Sequence, residues 1–158
     1  VIEAEDKNLA AKTDAPHGTA ERKVVLAIPA RDATDELAVT MLGKSISNDH
    51  FDWHEMSSLG LATETLAMIA QLKANIIVIT SVYPGNLAHT IYLCKRIRAR
   101  FPEITIVAGR LGMDDPDMMK NNSDKLLAVG AKIVIHTLQD TILELDKLFL
   151  LDVPRPDQ

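Results

Sequence analysis

Asn75-Ile76-Ile77-Val78-Ile79-Thr80-Ser81-Val82-Tyr83-Pro84-Gly85 is the stretch whose reading decides the fold. Residues 75–79 form the most apolar short run of the chain, rich in β-branched side chains and without period-two alternation. Such a run suits a strand buried on both faces, at the centre of a parallel sheet. The chain then changes character: hydroxyls, an aromatic ring and Pro84-Gly85 mark a strand end and a helix start.

The same punctuation recurs on either side. Val24-Val25-Leu26-Ala27-Ile28 runs into Pro29-Ala30-Arg31-Asp32, and Ile104-Thr105-Ile106-Val107 runs into Ala108-Gly109-Arg110-Leu111-Gly112. Phe51 to Met56 alternates with period two, as a half-exposed strand does, and Lys132 to His136 supplies a fifth strand after the turn Gly130-Ala131. Helical patterns fill the intervals. The first is capped by Asp32 or Thr34, carries Asp35 and Glu36 in its first turn, and turns Leu37, Met41, Leu42 and Ile46 inward. The second, Thr63 to Lys73, packs Leu66, Ile69, Ala70 and Leu72. The third carries the stripe Leu87, Ile91, Cys94, Ile97, Phe101 and an opposite face of Lys95, Arg96, Arg98 and Arg100, with Pro102 as its stop. One helix or two short ones precede Val129, and a last helix at about 138–150 packs Leu138, Ile142, Leu145 and Leu148-Phe149.

Strands alternating with helices give an α/β domain over residues 23–150. It is a five-stranded doubly wound parallel sheet, because parallel strands need crossover helices and right-handed crossovers cover both faces. The flavodoxin-like order 2-1-3-4-5 is expected, and it brings the ends of strands 1, 3 and 4 to one crevice. Residues 1–22 have linker composition and 151–158 read as a tail. A polar leader that starts at Val1 fits a domain cut from a longer protein with its partner upstream.

Composition narrows the function classes. The chain has 158 residues, 17 Lys and Arg against 22 Asp and Glu, and 4% aromatics. A net charge of −5 argues against nucleic acid, and so few aromatics leave no stacking platform. Cys94 is the single cysteine, which excludes an internal disulfide, and its place in an apolar stripe suits a buried thiol. No run reaches the ~18 apolar residues of a membrane span and no signal peptide is present, so a cytoplasmic domain is expected.

The crevice rim is the candidate site: Arg31, Asp32, Ser81, Tyr83, Gly109 and Arg110. Two guanidiniums, hydroxyls, a glycine and helix N-termini suit an anionic or amide-rich small molecule. Alternatively, Arg31 and Arg110 pair with Asp32 and with Asp114 or Asp115. A phospho-acceptor domain of this topology needs an Asp at the end of strand 3, where Thr80-Ser81 stands. Phosphate-cradling glycine loops are absent from 29–34, and the histidines make no metal-ligand pair. No nucleophile, base and orienter assemble, so no enzyme is expected.

Three rim segments resemble the cobalamin-binding domain of methionine synthase and related mutases, across about residues 23–150. Against Asp-x-His-x-x-Gly the chain offers Ala30-Arg31-Asp32-Ala33-Thr34-Asp35; against Ser-x-Leu, Ser81-Val82-Tyr83; against Gly-Gly, Ala108-Gly109. Asp32 stands at the cobalt-ligating histidine, so the resemblance implies a module without that ligation, in which Tyr83 obstructs the nucleotide tunnel. No cofactor is assigned, and a degenerate corrinoid-binding domain stays as an alternative. Ile28-Pro29-Ala30-Arg31-Asp32 with Asp35-Glu36, and Tyr92 to Pro102, are similar to the cytoplasmic C-terminal extension of bacterial permeases of the autoinducer-2 exporter family. That similarity implies a non-catalytic regulatory or ligand-sensing domain, tethered to the inner membrane through an upstream membrane part of the same chain. Its rival is a structural module that forms a homodimer and binds no ligand.

Overall fold

The strands all pair in parallel, in the order β2-β1-β3-β4-β5, so the expected flavodoxin-like topology is the observed one. The computed structural model describes residues 21–151; nearly all of the expected linker and tail lies outside them. The elements run β1 (Lys23–Pro29), α1 (Ala33–Ser45), β2 (Phe51–Glu55), α2 (Ala62–Leu72), β3 (Ile76–Val82), α3 (Leu87–Arg100), β4 (Thr105–Leu111), α4 (Pro116–Ala128), β5 (Ile133–Ile135) and α5 (Leu138–Phe149).

Two apolar layers sandwich the sheet. Leu26, Ile28, Ile77, Ile79 and Ile106 meet Ile69 of α2, Leu93, Cys94 and Ile97 of α3, and Leu126 of α4. Val25, Ile76, Val78 and Val107 meet Val39 and Leu42 of α1 and Leu145 and Leu148 of α5. Ile76, Ile77, Val78 and Ile79 are all fully buried, which is why the central strand shows no alternation. Each such side chain stabilises the fold by about 1.5–3 kcal/mol.

Four expectations are corrected. The inward stripe of α1 is Asp35, Ala38, Val39 and Leu42, continued by Ile46, while Leu37 and Met41 are exposed. Both stripes share Leu42 at helical spacing; the true one includes a carboxylate, which reads as solvent-facing until its hydrogen bonds are seen. Ala70 of α2 likewise faces solvent. Arg98 leaves the expected cationic face and folds back to donate to the carbonyls of Phe101, Pro102, Ile104 and Gly130. Gly130, at φ 110°, must be glycine: a Cβ there would lie 2.8 Å from the Arg98 Nε. Finally, β3 and β4 run on through residues expected in loops, pairing Ser81 with Arg110 and Val82 with Leu111. The side chains of Ser81 and Arg110 find partners inside the fold, so pairing continues past the apolar run. The segment before Val129 is one helix, α4.

Candidate functional site

Two buried ions of opposite sign organise the C-terminal edge of the sheet. Asp35, fully buried in the first turn of α1, accepts from Val82 N (2.8 Å), Arg31 N (3.0 Å), Asp32 N (3.2 Å) and Asn86 Nδ2 (2.8 Å). Arg110, 2% exposed on β4, donates from Nε to Asn122 Oδ1 (3.0 Å), from Nη2 to Pro84 O (3.1 Å), and from Nη1 to Ser81 Oγ (3.3 Å) and Gly85 O. Between them runs the β3–α3 loop, with a cis Tyr83–Pro84 bond and a left-handed Asn86 at φ 71°. The carboxylate takes Val82 N at the loop's start and the Asn86 side-chain amide at its end, and the guanidinium takes the carbonyls of Pro84 and Gly85, so the loop is clamped by charge-assisted bonds on both sides. Burial pushes the Arg110 pKa down, while the charges of Asp35 and Tyr83 oppose that shift. A guanidinium nevertheless stays charged.

The six rim residues divide into three groups. Ser81, Tyr83, Gly109 and Arg110 gather on β3, β4 and the loop after β3. Ser81 Oγ also reaches Gly109 O at 3.5 Å, and the Tyr83 ring stands 5.7 Å from the Arg110 guanidinium carbon while its hydroxyl reaches Met118 Sδ at 3.9 Å. Tyr83 therefore partly covers the buried cation. Asp32 caps α1: it accepts from Thr34 N and Asp35 N, and from Asn86 Nδ2 at 2.9 Å. The Asn86 bond, then the backbone bonds, hold its carboxyl below the usual range. Arg31 stands exposed on the outer rim, where its charge adds the smallest of the effects that lower the Asp32 pKa. Arg110 pairs with neither Asp114 nor Asp115; Asp115 caps α4 instead.

The open space lies beside the expected crevice. A groove of about 500 Å³ opens between the β1–α1 junction, the β2–α2 loop and the first turns of α3. Arg31 lines it together with Leu59, Leu61, His89 and Tyr92. Glu36 anchors its outer wall, accepting from Ser58 N (3.0 Å) and Ser58 Oγ (2.7 Å), and those bonds lower the Glu36 pKa. Nothing in the local sequence marks Asn86, Asn122, the buried role of Asp35 or the groove wall beyond Arg31. The Asp32-x-x-Asp35 spacing does carry a capping signal, since each side chain bonds the other's backbone. The His89 to Tyr92 spacing likewise places both on one helical turn.

Chemically, the strand ends are a closed polar scaffold. Thr80, at the phospho-acceptor position, is fully buried with no hydrogen-bond partner for its hydroxyl, and Ser81 is buried against Arg110. Cobalamin does not fit the motif positions as a metal-ligating site, because the Asp32 carboxylate is committed to the α1 cap and Asn86. Among the described residues no group of three His, Cys, Asp or Glu could hold a metal ion, and no helix is long and apolar enough to cross a membrane. His136 spans Arg110 O and Ser123 Oγ, both at 3.0 Å. Burial pushes the Cys94 thiol up to about 11.

Neither a family model nor a curated protein matches this sequence. Solved structures do. A cobalamin-binding protein from Desulfitobacterium hafniense DCB-2 superposes with a TM-score of 0.57 at 13% identity, covering 83% of this chain. This chain spans 60% of the length of that protein. A CheY-like response regulator receiver domain protein from Methanospirillum hungatei JF-1 gives 0.55 at 15% identity, covering 82% of this chain and 94% of that one. The chemotaxis response regulator CheY4 of Vibrio cholerae gives 0.53 at 15%, covering 82% and 99%. At these identities the likeness is one of fold, and the fold is flavodoxin-like.

Proposed function

We propose that this domain is a non-catalytic regulatory module that senses a small ligand at the groove beside its sheet and biases a membrane transporter to which it is tethered. The observation that carries the reading is the closure of the strand ends. Asp35 accepts four protein donors and Arg110 commits four of its five N–H groups to protein acceptors, so both are spent on holding the scaffold rather than on a substrate. Arg31 is the rim residue assigned to the ligand; Ser81, Arg110 and Tyr83 belong to the hydrogen-bonded scaffold beside it. The two stretches similar to the exporter extension support the placement, since residues 28–31 of one and Tyr92 and Leu93 of the other line the same groove. The presence of a receiver and a cobalamin-binding protein among the structural neighbours is in keeping with a sensing role for this fold.

The test is the full-length gene. Membrane spans should be encoded upstream, and deleting residues 23–151 should change substrate flux in membrane vesicles. No upstream spans, or flux indifferent to the deletion, would overturn the transporter reading. A second reading, homodimerisation without a ligand, is favoured by the exposed pair Leu37 and Met41 on α1, 60% and 46% accessible. Sedimentation of wild type and Leu37→Lys decides it: a concentration-dependent dimer lost in the variant supports it, and a monomer throughout removes it.

A further inference from the structure

The groove is also chemically selective. The chain is acidic overall, yet no carboxylate lines this cavity, whereas Arg31 and His89 do. The acids beside it are already hydrogen-bonded: Asp32 to the α1 cap and Asn86, Glu36 to the backbone and hydroxyl of Ser58, and Glu64 Oε2 to Leu61 N at 3.1 Å. Its exposed apolar side chains are Leu59 at 89%, Leu61 at 64% and Tyr92 at 43%, and Ser57, Ser58 and Thr65 add hydroxyls. Apolar side chains so exposed around one concavity mark a surface that something covers. Tyr92 is held in place by Arg96, whose Nη1 donates to its hydroxyl at 2.8 Å, and its ring lies 5.8 Å from that of His89. The first turn of α2 also borders the cavity, and its N-cap Leu61 offers no side-chain acceptor to the amides there. That end contributes a partial positive charge of the same sign as Arg31.

From this juxtaposition we infer that the groove binds a small organic oxyanion: an anionic head between Arg31 and the start of α2, and an apolar body against Leu59, Leu61 and Tyr92. This rests on the sensing role proposed above and specifies what is sensed. The volume of about 500 Å³ admits a metabolite-sized molecule. Arg31 supplies a planar fork for a carboxylate or phosphate head, and the apolar body supplies the affinity that a free inorganic ion lacks.

The 158-residue chain is titrated with phenyl phosphate, phenylacetate, inorganic phosphate and benzyl alcohol, by calorimetry and by amide shifts in a ¹H–¹⁵N spectrum. Phenyl phosphate or phenylacetate should bind at least about tenfold more tightly than inorganic phosphate or benzyl alcohol, shifting the amides of Gly60 to Thr63. Arg31→Ala should weaken the bound probe about tenfold, and Tyr92→Ala should erase its advantage over inorganic phosphate. Both variants alter exposed side chains, and their unchanged thermal midpoints would show that they fold. Three results would each sink the inference: no probe moves those amides, Arg31→Ala binds as wild type does, or benzyl alcohol matches the anions. If the probes fail while domain deletion still alters flux, the regulatory reading stands and this one falls.

Discussion

Replacing Arg110 with methionine removes a buried guanidinium and its donors while keeping a long, flexible apolar side chain in place. The loss is therefore polar rather than a cavity effect. Hydrogen bonds to a charged group contribute about 1.5–3 kcal/mol each, so four independent ones would give about 6–12 kcal/mol. They share one side chain, and the cost of burying the ion, visible in its lowered pKa, offsets part of that sum. Against this, Pro84 O, Gly85 O and Asn122 Oδ1 lose their donor and become underbonded. We expect a net loss of about 3–5 kcal/mol, a large share of the roughly 5–15 kcal/mol that holds a typical domain together. Urea denaturation followed by far-ultraviolet circular dichroism should show a lower midpoint with an unchanged slope. The thermal midpoint should fall by about 12–20 °C for a domain of this size. Arg110→Lys should lie between the two proteins, since an ammonium cannot serve the forked set of acceptors. A loss below about 1 kcal/mol would refute the clamp, because one ordinary hydrogen bond is already worth that much. Wild-type stability combined with lost binding of an anion would instead make Arg110 a ligand contact.

Four further outcomes follow from the same structure. Asn86→Gly keeps the left-handed backbone and removes the amide shared by Asp32 and Asp35; the Asp32 carboxyl should then titrate higher, toward its ordinary 3.8, in carbon-detected spectra. Because the folded pKa values of Asp32 and Glu36 are depressed, their contribution is fully present above the ordinary values of 3.8 and 4.5. It is lost as pH falls through the lowered folded values, so urea midpoints should drop on that acid limb and less steeply in Asn86→Gly. Thr80→Val replaces a buried, unpartnered hydroxyl by a methyl of the same shape and should raise stability by about 1 kcal/mol, read by thermal unfolding; a destabilised variant would mean that the hydroxyl has a partner. Cys94, buried and held at about 11, should resist an aromatic disulfide reagent in the native protein and react at once in denaturant; rapid native labelling would contradict its burial.

The class and topology were legible in the chain because each rests on local patterns. Ile76 to Ile79 announce a central strand by lacking alternation, Phe51 to Glu55 announce the half-exposed one by having it, and Pro102 and Gly130 punctuate where the backbone demands. The site was legible only as an address. Arg31 and Arg110 look alike in the sequence, each a guanidinium just past an apolar run, yet one lines an open groove and the other is buried, partly covered by Tyr83. Asp35 looked like a first-turn acid favoured by the helix dipole, and nothing local says that Val82, forty-seven positions away, donates to it.

Hydrophobic periodicity, turn residues and the handedness of crossovers act over a few residues or follow general rules, so they settled that this chain makes a five-stranded parallel sheet and where its strand ends converge. Which polar groups at those ends face each other, and which face water, depends on partners brought together from β1, β3, α3, β4 and α4. That pairing, decided only in three dimensions, consumed the expected crevice and left the open groove beside it, at Arg31, His89 and Tyr92.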